Sequence, residues 1–166
     1  MIAYPTEYCF GLGCDPRQTA AVQKLLSIKQ RQAQQGVILI AANLQQVRLY
    51  AELDGLDRLE QIKASWPGPN TWLLPARAQV SAWIKGKHSS VAMRIPKHDF
   101  CLAMCEQFGH PIVSTSANRH GQPALLNDQA VNADFGENID YIVPALVGGA
   151  AHASTITDGI TGAVLR

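Results

Sequence analysis

The sequence predicts a single-domain α/β fold with a mixed sheet, and three observations carry that reading. Short apolar runs alternate with stretches of helical periodicity along the whole chain. A length of 166 residues suits one domain with a substantial core. Hydrophobic residues make up 47% of the chain and charged ones 16%, a globular balance and not a disordered one. Repeats, low-complexity tracts and linkers are absent from the sequence.

Strand-like runs fall at Ile2–Tyr4, Val37–Ala42, Thr71–Leu74, Val91–Ile95, Ile112–Ser114, Tyr141–Val143, Thr155–Thr157 and Ala163–Leu165. Between the first two, Gln18–Ile28 reads as a helix with Ala21, Val22, Leu25 and Leu26 inward. Leu44–Leu53 follows a possible Asn43 cap, and Leu56–Trp66 is stopped by the prolines of Trp66-Pro67-Gly68-Pro69. His98–Phe108 is the clearest helix. Pro96 precedes it, Phe100, Cys101, Met104, Cys105 and Phe108 form its stripe, and Gly109 stops it.

The net charge of +1 lacks the basic excess of a dedicated duplex binder, so any nucleic-acid contact must come from a local patch. No apolar run reaches the roughly 20 residues of a membrane helix. The opening MIAYPTEY shows neither a basic leader nor a signal-type apolar stretch, which places the expected location in the cytoplasm. Cys9, Cys14, Cys101 and Cys105 read as buried reduced thiols, because none of the five histidines stands at a tight ligand spacing from them.

Three segments put polar groups beside strand ends. In Tyr4–Gly13, Pro5 fixes the exit from the first strand, Thr6 offers a hydroxyl and Gly11 and Gly13 permit close backbone approach. An ordinary strand-to-helix turn explains the same residues. Lys29 and Arg31 leave the end of a helix one residue apart, where both can reach a common anion. Interaction with the helix dipole is the simpler account of the pair. Ser114-Thr115-Ser116-Ala117-Asn118 closes a buried run with four hydrogen-bonding side chains, a cradle for an anion beyond a strand end. A phosphate and a small polar acid fit this set. A G-x-x-x-x-G-K-[ST] loop, a G-x-S-x-G elbow and an H-E-x-x-H helix are all missing.

Tyr4–Gly13, Lys29-x-Arg31, Trp66-Pro67-Gly68-Pro69-x-Thr71, Arg94-x-Pro96 and Ser114–Asn118 follow one another in this order. With them the whole chain resembles the YrdC/TsaC family of threonylcarbamoyl-AMP synthases, most specifically through Lys29/Arg31 with Ser116/Asn118. The resemblance implies one YrdC-like domain over residues 1–166, with a twisted mixed sheet, flanking helices and a concave basic cavity. It also implies a nucleotidyltransferase reaction. L-Threonine, bicarbonate or CO2, and ATP give L-threonylcarbamoyladenylate and pyrophosphate, for modification of tRNA beside the anticodon. Lys29 and Arg31 are then the expected catalytic residues on the phosphates and carbamate. Ser90, Ser116, Asn118 and Arg166 join them on the nucleotide, while Thr6, Arg94, Ser114 and Ser154 hold threonine. Mg2+ accompanies ATP without a dedicated protein cage. Expected partners are the proteins that transfer the threonylcarbamoyl group, with weak tRNA or RNA binding besides.

The chain departs from the family pattern at Gln32 and Ala153, where proline is usual, and at Tyr8, Ile40 and Ala124, where threonine, histidine and serine occur. The family's usual N-terminal helix is also expected to be lacking, since Met1 already stands at a strand position. Two other readings remain at this point. One is a non-catalytic RNA-binding module built on Lys29, Arg31 and Arg94, and the other is a shortened relative of reduced activity.

Overall fold

A computed structural model describes residues 1–119 and 121–166. The order is β1 (Ile2–Pro5), β2 (Phe10–Cys14), α1 (Thr19–Ile28), β3 (Ile38–Ile40), α2 (Leu44–Val47), α3 (Leu59–Ala64) and β4 (Asn70–Pro75). Then come α4 (Ala82–Lys85), β5 (Ser90–Arg94), α5 (Asp99–Phe108), β6 (Ile112–Ser116), α6 (Asp128–Phe135), β7 (Tyr141–Ile142) and β8 (Thr155–Asp158). All eight strands join one mixed sheet in the order β7-β1-β2-β6-β3-β5-β4-β8, the α/β class that the alternating pattern predicts. No helix among the described residues is long and apolar enough to cross a membrane.

The period of two in each strand divides the sheet into two different faces. Val91 and Met93 of β5, Leu39 of β3 and Val113 of β6 point into the larger core, beneath Val22, Leu25 and Leu26 of α1. On the opposite face α5 covers Tyr4, Ile40 and Ile112 with Cys101 and Cys105. Beyond α5 that face lies open, and there the alternate positions Ser90, Ala92 and Arg94 of β5 and Ser114 and Ser116 of β6 surface. Cross-strand register aligns them: Ile38 stands between Ser114 and Ala92, and Ile40 pairs Arg94.

Several elements differ from the sequence reading, each for a tertiary reason. The stretch Tyr4–Gly13 is a hairpin and not a strand-to-helix turn, because β2 pairs β1 on one side and β6 on the other. The helix expected over Leu44–Leu53 stops at Val47. Its Asn43 cap holds, with the Gln46 N–H donating to Asn43 Oδ1 at 3.0 Å, but residues 50–52 pair instead with the end of β4. The helix expected over Leu56–Trp66 is trimmed to Leu59–Ala64. Ala163–Leu165 forms only an isolated bridge, Val164 to Thr157, and not a strand. Phe108 leaves the buried stripe of α5 and is stacked from outside by the Arg17 guanidinium, 5.1 Å from its ring. Met104 and Phe100 are half-buried. Unforeseen was α6, a polar helix with only Val131 and Phe135 buried, started by the Asn127 side chain accepting from the Ala130 N–H at 2.8 Å.

Gly109 and Gly13 are required for different reasons, one by backbone conformation and one by packing. Gly109 ends α5 in the left-handed region at φ 73°, where its missing Cβ removes the steric cost. Gly13 lies in the middle of β2, where a Cβ would stand 2.7 Å from the Val113 carbonyl oxygen and 2.8 Å from Tyr4 Cε1. Backbone cannot yield as a flexible side chain does. Gly13→Ala is therefore expected to destabilise the fold by about 1–3 kcal/mol, read as a lower urea midpoint at unchanged slope.

Candidate active site

The open part of the sheet face is a cavity of about 420 Å³. Distant chain segments converge on it: Thr6, Tyr8 and Cys9 from the first hairpin, Arg31 after α1, Lys85 and His88 around α4, Ser154 before β8, and Arg166. Thr71 and Leu73 of β4, with the serines and Arg94 already described, make its floor. Three guanidiniums line it, and the described lining residues include no aspartate or glutamate. Such a surface selects anions.

Arg31 and Lys29 are delivered by the end of α1. Gln30 takes a left-handed conformation at φ 48°, the Gln30 N–H bonds Ser27 O at 3.0 Å, and the Arg31 N–H bonds Leu26 O at 2.9 Å. This pair of bonds is a Schellman termination, which reverses the chain and sends the two cations different ways. Arg31 reaches the cavity, its Nε donating to Gly36 O at 3.0 Å. Burial first, and the nearby Arg166 charge second, lower its pKa from the ordinary arginine value.

Lys29 turns under the loop after β6 instead. Its ammonium donates to Ser116 O at 2.8 Å, to Asn118 Oδ1 at 2.7 Å and to Asn118 O. Only 7% of Lys29 is exposed, so its three donors are spent on this loop. Ser116 Oγ also donates to Asn118 Oδ1 at 2.8 Å, and Asn118 Nδ2 donates to Gln122 O at 2.7 Å. Lys29 is thus the centre about which Ser116 and Asn118 are arranged. Burial, with Arg31 as the next cause, lowers its pKa to about 8.

At the other end of the cavity Thr6 Oγ1 donates to Cys9 O at 2.7 Å, closing the hairpin turn. Arg94 Nε donates to Gly68 O at 3.0 Å, and its Nη2 pairs with Glu7 Oε1. Ser154 Oγ lies 2.8 Å from Thr71 Oγ1, and the Ser154 carbonyl accepts from Arg166 at 3.0 Å. Ser90 and Ser114 line the floor between these ends. The structure therefore gathers every sequence-proposed residue at one cavity or, for Asn118 and the Lys29 that holds it, at the loop that borders it.

Sequence reasoning gave no role to Glu7, Thr71, Lys85 or His88. The signal for Glu7 was an acid inside an apolar, glycine-rich hairpin, and for Thr71 its place at the end of the Trp66–Thr71 motif; for Lys85 and His88 no local pattern existed. All four cysteines are free and buried. Cys9 reaches the cavity, but burial raises its thiol to about 11, so it presents a thiol and not a nucleophilic thiolate. No cluster of three His, Cys, Asp or Glu side chains occurs among the described residues.

Known proteins share both the chain and its shape. A family model described as telomere recombination, Sua5/YciO/YrdC, matches residues 1–166. A threonylcarbamoyl-AMP synthase of Nitrosococcus oceani is 43% identical over 166 residues, covering 100% of this chain and 90% of that protein. The structure of P. abyssi Sua5 complexed with L-threonine matches with a TM-score of 0.87 at 31% identity, over 95% of this chain. That match takes in 46% of the P. abyssi protein, so the chain spans about half its length. E. coli YciO shares the fold, with a TM-score of 0.83 at 23% identity, over 99% of this chain and 81% of that one. By sequence over its full length and by fold, the chain belongs to the Sua5/YciO/YrdC family.

Proposed function

We propose that the chain is a threonylcarbamoyl-AMP synthase, an enzyme that joins threonine, bicarbonate or CO2, and ATP into L-threonylcarbamoyladenylate with release of pyrophosphate. One observation carries this reading: Arg31, Arg94, Arg166 and the hydroxyls of Ser90, Ser114, Ser116 and Ser154 meet at one cavity, whose described lining residues include no aspartate or glutamate. Full-length likeness to proteins of that name supports it. An RNA-binding module draws on the same cations, but these face a cavity and not an exposed stripe.

The threonine amine takes up CO2 as a carbamate, a carbamate oxygen attacks the α-phosphorus, and pyrophosphate departs. Two anions must meet, so positioning and charge neutralisation supply the rate. Arg94, Thr6, Ser114 and Ser154 hold threonine. Arg31 and Arg166 neutralise the phosphates, while Ser116, Asn118 and Ser90 hold the adenylate. Lys29 acts largely through the loop it fixes. Mg2+ would be held by the ATP phosphates and water, where it would offset phosphate charge, since the described lining residues offer no carboxylate of their own. The product passes to the proteins that modify tRNA in the cytoplasm.

Mass detection of threonylcarbamoyl-adenylate from the purified chain with ATP, threonine and bicarbonate tests the reading. Equal ATP turnover with and without threonine overturns it.

The lowered pKa of Lys29 adds a pH dependence. Below about 8 the ammonium is charged and the Ser116–Asn118 loop is held; as pH rises through 8 the proton is lost. ATP affinity is expected to be level to that point and to fall above it, as titration calorimetry can follow. Between 8 and the ordinary lysine value of 10.5 the unfolded chain binds more protons at this group than the folded one. The group's contribution to stability therefore rises with pH across that window, opposite in sign to the affinity.

A further inference from the structure

The acid beside the cavity has no place in the scheme above. Glu7 and Arg94 form an ion pair whose side chains are only 12% and 13% exposed. Glu7 Oε1 also accepts from the Lys97 backbone N–H at 2.7 Å, and the Glu7 carbonyl is bound by the Ala150 N–H at 2.7 Å. Gly148 packs so closely on Glu7 that a Cβ there would stand 3.1 Å from Glu7 Cα. The backbone of Glu7 is thus fixed, and its carboxylate is held at Oε1 by Arg94 and the Lys97 N–H, while Oε2 is buried without a partner among the described residues. Arg94 is fixed between that carboxylate and Gly68 O, with the remaining guanidinium donors left for a ligand.

The charges of the cavity are consequently unequal in kind. Among the described residues neither Arg31 nor Arg166 forms a side-chain ion pair, whereas the charge of Arg94 is cancelled by Glu7. A polyphosphate is drawn by net charge, and a single carboxylate needs a correctly aimed donor pair. Resting on the synthase reading, we propose that Glu7 is a positioning and specificity residue that divides the cavity. It aims Arg94 at the amino-acid carboxylate and, by neutralising it, keeps the triphosphate at the Arg31–Arg166 end.

The division is tested by binding, with inorganic pyrophosphate and L-threonine as separate probes. Glu7→Gln keeps the side-chain shape and removes the charge. L-Threonine is expected to bind about tenfold or more weakly, as loss of a charge-assisted bond predicts. Pyrophosphate is expected to bind several-fold more tightly and to compete with threonine, because an uncancelled cation then stands at that end. Arg94→Gln should weaken pyrophosphate, and the double variant, with no net change in charge, should return it near the wild-type value. These two variants decide the matter if Glu7→Gln alone does not fold. Parallel weakening of both probes with a lower melting temperature makes Glu7 merely structural and overturns the proposal, as does no change in either. If the wild type binds pyrophosphate but not threonine, the synthase reading fails while the pyrophosphate series still decides the division of charge.

Discussion

Lys29→Ala is expected to lower kcat/KM for ATP by about a hundredfold or more, the scale seen when one preorganised donor set is removed from a reacting oxyanion. The ammonium bridges Ser116 O, Asn118 O and Asn118 Oδ1, so alanine takes a donor from all three and leaves Ser116 O only the Asn118 N–H and Asn118 Oδ1 only the Ser116 hydroxyl. The loop loses its centre, and with it the places of Ser116 Oγ and Asn118. Lys29→Arg should not restore activity, because a planar fork cannot direct donors to three acceptors gathered about one tetrahedral nitrogen. Steady-state kinetics with a thermal melt on each variant checks the point. A loss below about threefold in the alanine variant, with the fold intact, would remove Lys29 from the machinery.

Arg94→Ala carries the second large effect. Threonine KM is expected to rise by about a hundredfold, from loss of a paired guanidinium donor to a carboxylate and from the Glu7 charge left behind. The KM for ATP should rise only several-fold, through the Glu7 charge left uncancelled, since Arg31 and Arg166 stand at the nucleotide end. Part of the cost will be structural, because the Gly68 carbonyl and Glu7 both lose a partner. Comparison of the two KM values separates that part from the substrate effect. Equal increases in both would refute a dedicated amino-acid role for Arg94.

Much of the fold was legible in the sequence because its signals are local. Alternation revealed β5 as a strand, and the Pro96–Gly109 bracket revealed α5 to within a residue of its start. The second strand was hidden because Phe10–Cys14 contains two glycines and a cysteine, residues that mark turns as readily as strands. Its strand character comes from pairing on both sides. The tail of the Leu44–Leu53 helix was lost for a similar reason, since β4 offers residues 50–52 better backbone partners than a further helical turn. In α6 so few apolar residues face inward that helical periodicity is faint.

The sequence by itself determined that the domain is α/β, which residue types carry its chemistry and, through the ordered motifs, the family to which it belongs. Spacing constrains side chains only within one strand or helix. The tertiary structure alone decided that Lys29 serves the loop at Ser116, 87 residues away, while Arg31 serves the cavity. It also decided that Glu7 meets Arg94 across another 87 residues. The strand order β1-β2-β6-β3-β5 brings these partners together, and sheet order is set by how faces are buried, which no local pattern records.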